Sequence, residues 1–259
     1  MEIKVKVDNM AILQWVALLL LACLPVFGLI GCKQSTTEPT KPPASPSATT
    51  SITSRAAGAF RSNFSIDVRR LSDQGENPYF ILKPGSRLTY QGGGESLVIT
   101  VLNETKLIDG ARTRVVEERE TKRGQLAEVS RNYFAIDPTT KDVYYFGEEV
   151  DLYKDGKVVA HEGAWQSGKD GANFGLMMPG RPRIGDRFYQ EQAPKVAMDR
   201  CEILSLTQTL KTPAGEFRNV LLVQESSPLE RGTQKKWYAA DVGLLKDGDL
   251  ELVRIDRPK

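Results

Sequence analysis

The chain of 259 residues has one histidine and three cysteines, two of which, Cys23 and Cys32, fall in a single N-terminal apolar run. One imidazole is a narrow supply for a catalytic triad, and no serine sits in a Gly-x-Ser-x-Gly turn. His161-Glu162 is the sole pairing of a histidine with an acid; without His-x-x-x-His or Cys-x-x-Cys, zinc finds no ligand set. Asp151, Asp155 and Asp170 lack the spacing of a calcium loop, and Gly92-Gly93-Gly94 lacks the Lys-Ser/Thr of a phosphate-cradling loop. Adjacent carboxylates such as Glu117-Glu118 and Glu148-Glu149 point to opposite faces of a strand, whereas glycosidase chemistry needs two that face across a cleft. Net charge is scarce too: 35 Lys+Arg against 33 Asp+Glu leaves +2, too little for a polybasic nucleic-acid binder. These absences name no catalytic residue, metal or cofactor. They favour a binding or structural module.

What is present begins with an address. No charge occurs from Ala11 to Gly31, a stretch long enough to cross a bilayer as a helix. It ends in Leu29-Ile30-Gly31-Cys32, which resembles a bacterial lipobox. That resemblance implies a signal peptide over 1–31, a diacylglycerol on the Cys32 thiol, and acyl chains such as palmitate holding the new N-terminus on a membrane. An uncleaved anchor helix is the alternative, because Lys4 and Lys6 are offset by Glu2 and Asp8. Either way the folded part is expected in the cell envelope. The sorting pattern of the resembled lipoproteins, with Lys33 after the cysteine, implies the outer membrane if the cell has two. Residues 33–47 then hold Pro39, Pro42, Pro43 and Pro46 and almost nothing to bury, so 32–76 reads as a disordered, flexible tether. Once the leader is removed, Cys201 has no thiol partner and reads as a small core residue.

From Asn77 the chain reads as a single all-β domain over 77–259. Asp109-Gly110, Arg123-Gly124 and Asp155-Gly156 each separate two extended runs, and Asp247-Gly248 precedes another, Leu250–Ile255. Such dipeptides suit tight hairpins, whose central residues need positive φ. Leu97, Ile99 and Val101 alternate to one face, while Thr113, Val115, Glu117 and Arg119 oppose Arg114, Val116 and Glu118 on a mostly polar strand. The expected fold is a curled antiparallel sheet or half-open barrel built from hairpins. One indistinct helical pattern lies at Ser54–Leu71. Residues 163–185 are glycine-rich yet carry Trp165, Phe174, Leu176, Met177 and Met178, which suits a lid over a site or a plug for the open side of the sheet.

Four segments carry a further resemblance: Asn77–Gly85, Tyr144–Val150, Thr212-Pro213-Ala214-Gly215-Glu216-Phe217, and Lys236-Trp237-Tyr238 through Val242-Gly243-Leu244-Leu245-Lys246. Together they are similar to an uncharacterised family of secreted or lipid-anchored, half-barrel-like envelope proteins. The resemblance implies the fold and a lipid-binding or accessory role, and brings no catalytic residues. The leading expectation is a lipid-anchored, non-enzymatic protein that binds an apolar ligand or an envelope protein. Candidate ligand residues are Trp165, Phe174, Met177, Met178, Phe188, Tyr189, Trp237 and Tyr238. Two alternatives stay open. One is an assembly accessory docking through Arg112, Arg114, Arg119, Lys122 and Arg123; the other is a hydrolase with an unrecognised site.

Overall fold

The computed structural model describes residues 58–258. The N-terminal apolar run, Cys32 and the first part of the expected tether lie outside these residues. A short pair, β1 (Glu76–Asn77) and β2 (Phe80–Ile81), precedes a run of hairpin strands. These are β3 (Arg87–Gly92), β4 (Glu95–Ile108), β5 (Ala111–Lys122), β6 (Gln125–Ile136), β7 (Val143–Lys154) and β8 (Lys157–Ala160). Four short strands follow: β9 (Trp165–Gln166), β10 (Asn173–Met178), β11 (Arg187–Tyr189) and β12 (Glu191–Gln192). A second hairpin set ends the chain, with β13 (Arg200–Thr212), β14 (Gly215–Ser226), β15 (Gln234–Ala239), β16 (Gly243–Asp247) and β17 (Leu250–Asp256). The described residues are therefore all-β, as the turn dipeptides imply. Asp109-Gly110, Arg123-Gly124 and Asp155-Gly156 all take positive φ in both residues, the twist that two-residue hairpins need.

The main sheet runs β11-β13-β14-β15-β16-β17-β3-β4-β5-β6-β7-β10-β12. Its two ends are consecutive pieces of one chain: residues 187–189 pair with β13 and residues 191–192 pair with β10. The segment 187–192 therefore laces both edges together and brings the sheet to a nearly closed, barrel-like ring. Gly175 makes the lacing possible, since a Cβ there would stand 2.3 Å from the Gln190 carbonyl oxygen. Arg61 reinforces the same seam: its N–H donates to the Arg187 carbonyl and its carbonyl accepts from Tyr189 N–H, each at 2.9 Å.

Two expectations change here. The expected tether runs through residue 76, whereas the described chain is packed well before that. Phe64 and Leu71 enter the main core, and Ser72 bridges Ile136. The helical pattern at 54–71 yields only a 3-10 turn, Val68–Arg70, in the described part. What holds this strap is a buried charge. Arg114 is 2% exposed, pairs with the Asp73 carboxylate, and donates through Nε to the Asp73 carbonyl at 3.1 Å. The glycine-rich stretch 163–185 is a second change, since β9 and β10 within it both pair with β7. Its glycines serve turns and close backbone approaches (Gly168 and Gly171 take positive φ), so the stretch is largely sheet.

Gly175→Ala should therefore disturb the seam. Forcing a methyl group against the Gln190 backbone is expected to cost about 2 kcal/mol in urea unfolding. Gly58→Ala, where a Cβ meets nothing within 4 Å, should leave the transition unchanged.

Candidate functional site

The register from β4 to β7 decides which side chains share the inner face. Val101, Val116, Asn132 and Glu148 follow one another across the four strands. One step along lie Ile99, Glu118, Ser130 and Val150; the next row is Leu97, Glu120, Glu128 and Leu152. The inner face is thus half apolar, with four glutamates and two neutral polar residues making up the rest. This is the part the sequence reading did not supply: a glutamate alternating with valine on a strand looks like one solvent face, and only the curl of the sheet turns Glu118 and Glu148 inward.

On the apolar side is a cavity of about 140 Å³. Leu88, Leu97, Ile99, Val101 and Val116 form one wall, and Lys236, Tyr238, Leu244 and Asp247 form another. Tyr79, Phe80 and Ile81 from the β1–β2 pair lie at a third side, Met177 reaches in from β10, and Glu118 also lines the space. The β1–β2 pair is fixed by Asn77, which is 2% exposed. Its Nδ2 donates to the Lys141 carbonyl at 2.8 Å and its Oδ1 accepts from Tyr79 N–H at 2.8 Å. The Pro78 carbonyl accepts from Asp241 N–H at 2.8 Å, tying the pair to the β15–β16 turn as well.

Burial shapes the charges inside. It pushes the Glu118 carboxyl up to about 7, with Lys236 pulling back and Asp247 adding to the rise. Glu148 is carried up to about 8 by burial and then by Glu118 and Glu128. Glu128 rises to about 7 and Asp199 to about 6, again mainly through burial, and Glu191 is raised by burial beside Asp199. One ammonium offsets part of this. Lys236 lies 2.8 Å from Glu225 and 3.3 Å from Asp247, while Gln234 also hydrogen-bonds Asp247. Burial disfavours the charge on Lys236, but these two carboxylates hold its pKa well above the usual value.

Of the candidate ligand residues, Met177 and Tyr238 line the cavity. The other six are elsewhere. Trp165 is edge-on to Tyr145 at 5.2 Å, and Phe174 stacks on Phe146 at 4.9 Å. Met178 and Phe188 are each 2% exposed within the main core. Tyr189 packs against Phe60 at 6.2 Å, and Trp237 packs on a second apolar cluster that includes Tyr90 and Leu245. Large side chains on a β domain usually become core: Trp165, Met178 and Phe188 are buried, Phe174 and Trp237 are half-buried against the two clusters, and Tyr189 is half-buried at the seam. Cys201 is also buried, at 2% exposed, where burial raises its thiol well above its usual range. Of the five basic residues singled out for docking, four lie on β5 and one, Arg123, follows it at the next turn. Arg114 is internal, Arg119 lies 3.8 Å from Glu117, and Lys122 lies 2.9 Å from Glu120.

The enclosed carboxyls have a consequence for stability. A carboxyl whose folded pKa lies above its unfolded one binds its proton more tightly when folded. Its contribution is therefore full at acid pH and is lost as pH rises through the folded value, here about 7 for Glu118 and about 8 for Glu148. Each unit of such a rise corresponds to about 1.4 kcal/mol. Glu148→Gln is expected to be more stable than the parent by roughly 1–3 kcal/mol at pH 8 and nearly equal to it at pH 5. Urea unfolding at the two pH values checks this.

No protein-family model and no curated protein matches the chain. Among solved structures, the crystal structure of a putative lipoprotein from Parabacteroides distasonis ATCC 8503 is similar to it at 12% sequence identity, covering 71% of this chain and 100% of that one with a TM-score of 0.34.

Proposed function

We propose that this chain is a lipid-anchored, non-enzymatic protein of the cell envelope whose barrel-like domain holds a small apolar ligand. The anchor reading is supported by Leu29-Ile30-Gly31-Cys32 at the end of an uncharged run, followed by a proline-rich stretch. Its palmitoylated or similarly acylated N-terminus, after loss of residues 1–31, would sit in the outer membrane of a two-membrane cell. The observation that carries the ligand reading is the cavity between β3–β5, β15–β16 and the β1–β2 pair, at about 140 Å³. That space is comparable to engineered apolar cavities that take up benzene. Its walls are chiefly branched aliphatic and aromatic side chains, with a few polar groups to orient a guest, the usual make-up of a small-molecule site. Among the described residues, no set of three or more His, Cys, Asp and Glu is grouped to hold a metal ion.

Two measurements test the two halves. Growth with an alkyne fatty-acid probe should label the chain, and Cys32→Ala should abolish the label while leaving the first 31 residues attached. An unlabelled parent chain removes the anchor. For the cavity, benzyl alcohol should bind saturably to the parent, with chemical-shift changes at Leu88, Ile99 and Val116 methyl groups. Val116→Trp, which fills the space, should weaken that binding by at least about tenfold.

A further inference from the structure

We infer that the guest of this cavity carries a cationic amine, seated against the carboxylate of Glu118 with its apolar body along Leu97, Ile99 and Val116. This rests on the ligand reading above and adds the sign of the ligand's charge. Four carboxylates line the space, Glu118, Asp241, Asp247 and Asp256, against two cations, Lys236 and Arg257. The interior cation, Lys236, is not left for a guest. The Lys236 ammonium is shared by Glu225 at 2.8 Å and Asp247 at 3.3 Å, one positive charge between two negative ones. Arg257, exposed at the rim, donates Nη2–H to the Asp241 carbonyl at 3.1 Å. A carboxylate or phosphate guest would therefore enter a space of its own sign, where the interior ammonium is already paired and Arg257 is exposed to solvent.

Glu118 is placed differently. It stands opposite Ile99 on β4 and Ser130 on β6, two residues from Val116, at the point where the apolar wall meets the acidic rows. Among the described residues, no ion pair to its carboxylate is formed, because Lys236 is held by Glu225 and Asp247. A carboxyl in such surroundings gains most from a ligand that brings a positive charge and N–H donors together. The groups that act on Glu118 come from every side: Lys236 and Asp247 from β15 and β16, Glu120 from its own strand. Glu128 and Glu148 face it from β6 and β7, and its charge is felt by Tyr90 on β3 and Tyr145 on β7. All but Lys236 are acidic or phenolic, so a cation entering there is stabilised by the surroundings as well as by Glu118.

The test compares three probes of one shape, benzylamine, benzyl alcohol and benzoate, titrated calorimetrically into the full chain in lipid nanodiscs at pH 8. The amine should bind at least about tenfold more tightly than the alcohol, with benzoate weakest. Glu118→Gln, of matched volume, should bring amine and alcohol to within about twofold of each other. A second reading needs no variant. Because burial holds Glu118 at about 7, amine binding to the parent should weaken by several-fold from pH 8 to pH 6 and should release protons near pH 7, seen as a buffer-dependent heat. Equal binding of amine and alcohol, or a preference for benzoate, overturns the cationic guest and leaves the apolar cavity standing. Binding of none of the three overturns the ligand reading itself.

Discussion

A sheet that curls into a ring makes its inner face a closed electrostatic system, and here that face carries more negative groups than positive ones. The ion triad of Lys236 with Glu225 and Asp247 is the interaction on which this arrangement rests. The three residues come from β15, β14 and β16, which are neighbours in the sheet, so the ammonium draws together strands that would otherwise present like charges to one another. Burial of a charge is costly unless it is paired. Pairing here is incomplete, and the shortfall appears as protons retained on Glu118, Glu128 and Glu148. The cavity beside these groups is thus apolar along one wall, while the Lys236 ammonium on the facing wall is already shared by two carboxylates.

Much of the framework was legible from the residues. Asp109-Gly110, Arg123-Gly124, Asp155-Gly156 and Pro213-Ala214-Gly215 mark turns at or within a residue of where strands end, because few residues tolerate the backbone these turns demand. The inward set Leu97, Ile99 and Val101 follows from a period of two. Other parts were not legible, for physical reasons. Residues 163–185 read as a lid or a plug because their glycines suggest freedom, yet Gly175, and Gly147 on β7 facing the stretch, are needed where one backbone passes close to another. The strap from Phe60 to Gly75 lacked a clean period because it is irregular chain held by contacts from distant strands, above all the clamp of Arg114 on Asp73.

The candidate site was the least legible part. Large aromatic and sulfur-bearing side chains signal burial, and half of those singled out from sequence are buried, three of them in packed core away from the cavity. The polar members of the cavity carry no such signal. Glu118 in Val115-Val116-Glu117-Glu118-Arg119-Glu120 differs from Glu117 only in parity, and parity assigns a face without saying which face is inside. Here Glu117 meets Arg131 at 3.3 Å while Glu118 faces the interior.

The seam of the ring also has a mechanical meaning. Arg61 lies within a few residues of the point where the described chain begins, and its backbone is bonded on both sides to Arg187 and Tyr189, the strand that laces the ring shut. Tension applied to the chain upstream of Gly58 is borne first by that strand, before it reaches the long hairpins. A tug there would therefore act as a drawstring on a closure made by two short strands.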